Sequence, residues 1–216
     1  TYTEAEVRVT VGLIEPHFMA GYSGGRKLIM PGIAALETIQ NWHSPRFLEH
    51  PAATNGSVAG NPVHEENTYI ASLCPPDCIV DVTLDEEKRI TGVFVGAMVA
   101  AWQEGVRFAE QQVKALLPRP ADIVVTSGAG WPLDTTFYQA VKGMVGALPA
   151  VRRGGSIIIA SSCSEGIGSP HFTELLRETA DLNELIARMQ SPEWEYVPDQ
   201  WQVEELAKAT RENRIY

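Results

Sequence analysis

Apolar residues fall in short alternating or continuous stretches separated by glycine, proline and polar clusters, a pattern of strands interleaved with helices. Residues 7–14 (VRVTVGLI) are β-rich and alternate in part, which predicts a strand. It closes at Glu15-Pro16, where proline cannot donate to a ladder, so His17 stands just beyond a strand tip. Residues 20–30 carry Gly21, Gly24 and Gly25 and read as a loop that holds Lys27. Pro31-Gly32 then precedes a predicted helix with Ile33, Leu36 and Ile39 on one side and His43 at its end. Residues 44–60, broken by Pro45, Pro51 and Gly56, read as a polar surface excursion, and 61–71 as a helix. Stretches 79–84 and 92–95 predict a hairpin across the charged turn 85–89.

An amphipathic helix is expected over 101–117, with Val106, Ala109, Val113 and Leu116 buried and Pro118 ending it, joining two units. Beyond it, ADIVVTSGAG (121–130) reads as a buried strand with a glycine turn, 135–148 as a helix, and GGSIIIASSCSEGIG (154–168) as a second buried strand with its own glycine-rich end. Strand, helix and strand of these lengths make a right-handed βαβ unit, which takes ligands at the carboxyl ends of its strands. Helices near 173–178 and 182–189, a tryptophan-rich stretch and a last helix from Gln202 follow. The expected fold class is α/β in two units, a loop-bearing α/β portion over 1–105 and a Rossmann-like, βαβ-containing domain over 106–216.

With 44% hydrophobic and 20% charged residues, the 216 residues can build a sizeable core. A net charge of −10 repels phosphate backbones and no basic patch offsets it, which argues against a nucleic-acid partner. No apolar run approaches the roughly 20 residues that span a bilayer, so no membrane partner is expected. Cys74, Cys78 and Cys163 are an odd count without regular spacing, which suggests reduced thiols and a cytoplasmic location. CPPDC has no second cysteine pair to complete a zinc site. Thr1 stands where a methionine would, and the chain reads as a piece of a longer one.

Candidate chemistry concentrates in residues 16–43, PHFMAGYSGGRKLIMPGIAALETIQNWH. His17, with a near-neutral pKa, could serve as a general acid or base, or simply bond a backbone carbonyl at the strand end. Ser23, Gly24, Gly25, Arg26 and Lys27 could form a nest of backbone N–H groups with two cations for a phosphate, or a mobile surface turn. The Walker A spacing is absent. His43 suits a helix C-terminus, and as an imidazole could equally bind zinc, copper, iron or nickel. On the helix over 135–148, Tyr138 and Gln139 share a face with Lys142; phenol, amide and ammonium would suit a small carboxylate, and a solvated face is the alternative.

Four features in order, PHFMAGYSGGRK, the separation of Lys27 from His43, GWPLDTTFYQAVK and GGSIIIASSCSEGIG, resemble the nickel-dependent lactate racemase family, through most of the chain. The resemblance implies a nickel-pincer nucleotide cofactor, Ni(II) pyridinium-3,5-bisthiocarboxylic acid mononucleotide, tethered to Lys27 through a thioamide, with His43 as the protein ligand to nickel. It implies that His17 is one of two opposed bases and that Tyr138, Gln139 and Lys142 orient the substrate carboxylate. The activity implied is racemisation or epimerisation of lactate or a related 2-hydroxy acid. Removal of the hydroxyl proton would let the Cα hydride pass to the cofactor and leave a planar 2-keto acid, open to return on either face. The implied partners are the small substrate and cofactor maturation proteins. Family members are about twice this length, with the second histidine base ahead of these residues. Residues 1–105 would then be an incomplete cofactor-binding portion of the N-terminal domain, residues 106–216 the C-terminal α/β domain, and this piece alone inactive. Trp102 departs from the family pattern, which places a histidine near that position.

Two other functions compete. A non-catalytic nucleotide- or phosphate-binding module would keep the loop but has no use for two histidines. A nicotinamide dehydrogenase would need G-x-G-x-x-G and an acidic residue about 20 positions on, which are missing.

Overall fold

The computed structural model describes residues 1–216, which form two compact units, residues 1–42 with 50–115 and residues 43–49 with 116–216. In chain order the elements are β1 (Val9–Leu13), the two-residue strands β2 (Pro16–His17) and β3 (Gly21–Tyr22), a 3₁₀ turn (Gly25–Leu28), α1 (Leu36–Trp42), α2 (Pro45–Leu48), α3 (Pro62–Leu73), β4 (Cys78–Leu84), β5 (Ile90–Gly96) and α4 (Met98–Val113). There follow β6 (Ala121–Ser127), α5 (Phe137–Ala147), β7 (Val151–Ala160), α6 (Pro170–Glu178), α7 (Leu182–Met189), α8 (Gln200–Arg211) and β8 (Arg214–Ile215).

In the first unit the sheet order is β1-β4-β5, with β1 parallel to β4 and β4 antiparallel to β5, the hairpin expected from its alternating flanks. Alternation sorts the sheet into two faces. Ile79, Asp81 and Thr83 of β4 are buried, and α4 packs on that sheet. Gly105 lets it approach: a Cβ there would stand 2.2 Å from Cδ1 of Ile14 and 3.0 Å from the Phe94 ring. The core joins Ile14, Tyr22, Ile29, Ile79, Trp102 and Val106. On the other face Val11, Val80 and Val95 lie in register, as do Leu13, Val82 and Val93, and Val11, Val93 and Val95 are exposed.

In the second unit β6 and β7 are parallel and joined through α5, the expected βαβ crossover, and β8 adds beside β7, again parallel. Helices α5, α6, α7 and α2 all pack against α8. The two strands are not buried on both faces as expected, since Ile123, Val125 and Ile158 are exposed.

Three further expectations change. Residues 44–60 are not all surface excursion, because α2 buries Pro45, Phe47 and Leu48 in the second unit. The predicted apolar side of the helix near 33–39 is not buried; Ile33 and Leu36 are exposed, and α1 begins only at Leu36. A division at 105/106 would cut α4, which packs whole on β4 and β5; the first unit runs to Ala115, and Val113 and Leu116, expected in the core, are exposed. No helix is long and apolar enough to cross a membrane.

Candidate functional site

In the first unit the glycine-rich loop is tied to the strand that precedes it. The Ser23 hydroxyl donates to the Leu13 carbonyl (2.7 Å) and accepts from the Glu15 N–H (2.9 Å). Gly24 and Gly25 take φ of +73° and +50°, conformations that cost a side chain steric energy. Their turn aims the Gly25 N–H at the buried Asp81 carboxylate (2.7 Å). A Cβ on Gly25 would stand 2.8 Å from Cδ1 of Trp102. Gly25→Ala should therefore destabilise the first unit by about 2–3 kcal/mol, read as a lower urea midpoint with unchanged slope.

Arg26 turns inward. It is 2% exposed; Nη2 donates to the Ala20 carbonyl (3.0 Å), Nη1 reaches the Ser23 and Gly24 carbonyls only at 3.4–3.5 Å, and Cζ lies 4.1 Å from the Trp102 ring centroid. Trp102 in turn donates Nε1–H to the Ser23 carbonyl (2.8 Å). Burial lowers the Arg26 pKa to about 9, against the opposing pull of Asp81. His64 stacks on Trp102 (centroids 5.0 Å apart) and is held neutral, its pKa lowered to about 4 by burial and by the Arg26 charge.

These contacts revise the phosphate-nest expectation for Ser23, Gly24, Gly25 and Arg26. The loop already holds a carboxylate, that of Asp81, and its first cation faces the core. Lys27 is placed differently. It is half-buried on the 3₁₀ turn, with Nζ 5.9 Å from the Trp42 ring centroid. Beyond the strand tip, His17 Nδ1 accepts from the Met19 and Ala20 N–H groups (3.2 Å each), and its ring stacks on Phe18. Nδ1 therefore acts as an acceptor in this arrangement.

In the second unit, the His43 ring stacks on Trp201 at 4.4 Å. Trp201 Nε1 donates to the Tyr138 hydroxyl (2.9 Å), and Gln202 Nε2 donates to the Tyr138 carbonyl (2.6 Å). Burial pushes the Tyr138 pKa up to about 12, so the phenol stays protonated. Tyr138 and Gln139 open α5, capped by Thr136, and the exposed Lys142 follows one turn on. The loops at the carboxyl ends of β6 and β7 are stitched together there. Asp134 Oδ2 accepts from the Ser162 N–H, the Asp134 carbonyl from the Cys163 N–H, and the Gly166 and Ile167 carbonyls from the Phe137 and Tyr138 N–H groups.

The named residues thus divide between the units, with His17, Ser23, Gly24, Gly25, Arg26 and Lys27 in the first and His43, Tyr138, Gln139 and Lys142 in the second. Sequence reasoning missed Trp201, Asp81 and His64. A signal existed for Trp201 in the tryptophan-rich stretch, but starting the last helix at Gln202 left this ring outside it; α8 begins at Gln200.

Comparison with known proteins gives concordant results. The family profile described as the lactate racemase N-terminal domain matches residues 1–56, and that described as the lactate racemase C-terminal domain matches residues 116–215. A lactate racemase of Thermoanaerobacterium thermosaccharolyticum is 37% identical over 98% of the chain, and one of Lactiplantibacillus plantarum 38% identical over 95%. The chain spans about half the length of these curated relatives, 50% and 48%. The structure of the lactate racemase apoprotein from the former organism superposes with a TM-score of 0.93 at 36% identity, over 99% of this chain and 51% of that one. A Thermotoga maritima protein of 18% identity shares the fold alone, with a TM-score of 0.68 over 96% of this chain and 52% of that one. With both profiles aligned in order and a superposition along nearly its whole length, the chain belongs to the lactate racemase family.

Proposed function

We propose that the protein carrying this chain is a nickel-dependent isomerase that racemises lactate or epimerises a related 2-hydroxy acid. The observation that carries the reading is the contrast between the two loop cations: Arg26 is turned into the core while its neighbour Lys27 stays half-buried beside an indole. A primary amine so placed suits a covalent tether. An imidazole held flat against Trp201 suits a borderline d-block metal, since stacking fixes the ring plane while leaving ligation to nitrogen. These donors fit a nickel-pincer nucleotide, with Lys27 as tether and His43 as nickel ligand. When bound, that group would supply a reversible acceptor for the Cα hydride of the substrate.

The chain's own residues would do the rest. Tyr138, fixed by Trp201 and kept protonated, can donate a hydrogen bond to a substrate carboxylate, with Gln139 and Lys142 adding an amide and an ammonium on the same helix. His17 would exchange the hydroxyl proton. With Nδ1 accepting two backbone N–H groups, neutral His17 carries its proton on Nε2, the form that returns a proton to an alkoxide. Taking up a proton at Nε2 requires the ring to turn and release Met19 and Ala20. In this reading Ser23, Gly24, Gly25 and Arg26 shape the turn that presents Lys27, maturation proteins install the cofactor, and the present residues alone are inactive.

The test is polarimetry with the full-length, cofactor-loaded protein on single enantiomers of a panel of 2-hydroxy acids. Loss of rotation with lactate or a close analogue is expected; constant rotation across the panel counts against the reading. A phosphate-binding module without chemistry is disfavoured because the Ser23 hydroxyl, the Gly25 N–H and Arg26 Nη2 are already committed to the Leu13 carbonyl, Asp81 and the Ala20 carbonyl.

A further inference from the structure

A small cavity of about 30 Å³ lies in the first unit, lined by Arg26, His64, Thr68, Met98, Val99, Trp102 and Gln103. Its walls are electropositive in two independent ways, and a third polar group there is left without a partner. The Arg26 guanidinium is 98% removed from solvent, has backbone carbonyls rather than a carboxylate as its hydrogen-bond partners, and keeps its Nε–H without a partner. The cavity abuts the first turn of α4, a 16-residue helix whose N-cap, Ala97, offers no side chain to its leading N–H groups, so the positive end of the helix dipole is uncompensated. His64 Nδ1 is buried without a partner, on a ring that also lines the cavity.

The nearest counter-charge does not close this account. Asp81 is engaged by the Gly25 N–H and forms no ion pair with Arg26, and burial raises its pKa toward the neutral form. A buried guanidinium left this way is costly unless an anion or water joins it. The volume decides the class: it has room for one or two waters or a halide, and not for a phosphate ester or a nucleotide.

We infer that this cavity is a binding site for a small monovalent inorganic anion of chloride size, held by Arg26 and the N-terminus of α4 and closed by His64, Thr68 and Trp102. The anion completes the inner support of the loop on which Lys27 sits. The inference is independent of the racemase reading, since it concerns only the charge and space behind that loop.

The experiment is to crystallise the full-length protein with bromide as the only halide and collect anomalous data. An anomalous peak inside the cavity near Arg26 is expected; bromide peaks elsewhere together with a cavity holding only water overturn the inference. In solution at constant ionic strength, replacing an organic anion such as gluconate by about 0.1 M bromide should raise the melting temperature by about 2–5 °C in a saturable way. Thr68→Ile adds bulk to the cavity wall while keeping Arg26, and should abolish the bromide shift with the fold intact by circular dichroism. An unshifted melting temperature in the unaltered protein, or a full shift in Thr68→Ile, overturns it.

Discussion

Replacing Lys27 by alanine in the full-length protein should lower racemisation by at least about 10³-fold, with the fold retained by circular dichroism. The loss follows from where the side chain sits. Lys27 is half-buried, with Nζ 5.9 Å from the Trp42 ring centroid. The backbone of its turn is held by other residues: Lys27 N–H to the Gly24 carbonyl, Ser23 to β1, Gly25 to Asp81 and Arg26 to Ala20. Removing the amine removes the proposed tether while these bonds of the turn remain. Intact mass spectrometry supplies the direct readout, as the natural protein should carry an adduct on Lys27 that the alanine variant lacks. His43→Ala completes the test, because it should keep the adduct and lose retained nickel by metal analysis. An unmodified Lys27 in active natural protein, or nickel retained by His43→Ala, would remove the cofactor from the reading.

The elements legible in the sequence are those whose signal is local. Strand β1, the β4–β5 hairpin and the β6–α5–β7 crossover announce themselves by period and by punctuation with glycine or proline. The loop 20–30 is legible as a loop but not in its purpose. Its glycines and arginine suggest a phosphate, yet their partners are Asp81, 56 positions from Gly25, and Trp102, 79 positions from Ser23, and no pattern within the loop encodes them. Helix α2 was invisible for a related reason: four residues carry no period, and Pro45, Phe47 and Leu48 bury themselves against α8 far along the chain. The same distance hides the tie between His43 and Trp201, since a ring stack leaves no spacing to read. Motif resemblance supplied what periodicity could not, naming His43, Tyr138 and Lys27 without showing what supports them.

Stability should fall as pH rises from neutrality toward 9, and α8 contains the reason. Gln200, Gln202, Glu204 and Glu205 are all buried on this helix. Burial, with Glu205 beside it, raises the Glu204 pKa to about 9, against weaker opposing pulls from Lys208 and Gln200. Glu205 is raised to about 7, mainly by burial, with Lys208 at 2.8 Å opposing the rise; Glu49, paired with Arg211, adds a further negative charge to both. An acid whose folded pKa exceeds its unfolded value near 4.5 holds more protons folded than unfolded between those two values, so its contribution is present at low pH and lost as pH climbs to the folded pKa. The slope is ~1.4 kcal/mol per pH unit for each such proton. His64 works in the opposite direction, since its pKa is lowered to about 4 and its buried neutral form gains relative stability between about pH 4 and 6.5. Below neutrality it offsets one of the two glutamates; above pH 7 Glu204 acts without opposition from it. Comparing the protein with Glu204→Gln by urea unfolding cancels His64 and isolates the carboxyl. The two should be close in stability at pH 5, and the glutamine variant more stable by roughly 2–4 kcal/mol at pH 8. A difference independent of pH would mean that Glu204 ionises as readily folded as unfolded, against the cost of charging a carboxyl sealed from water.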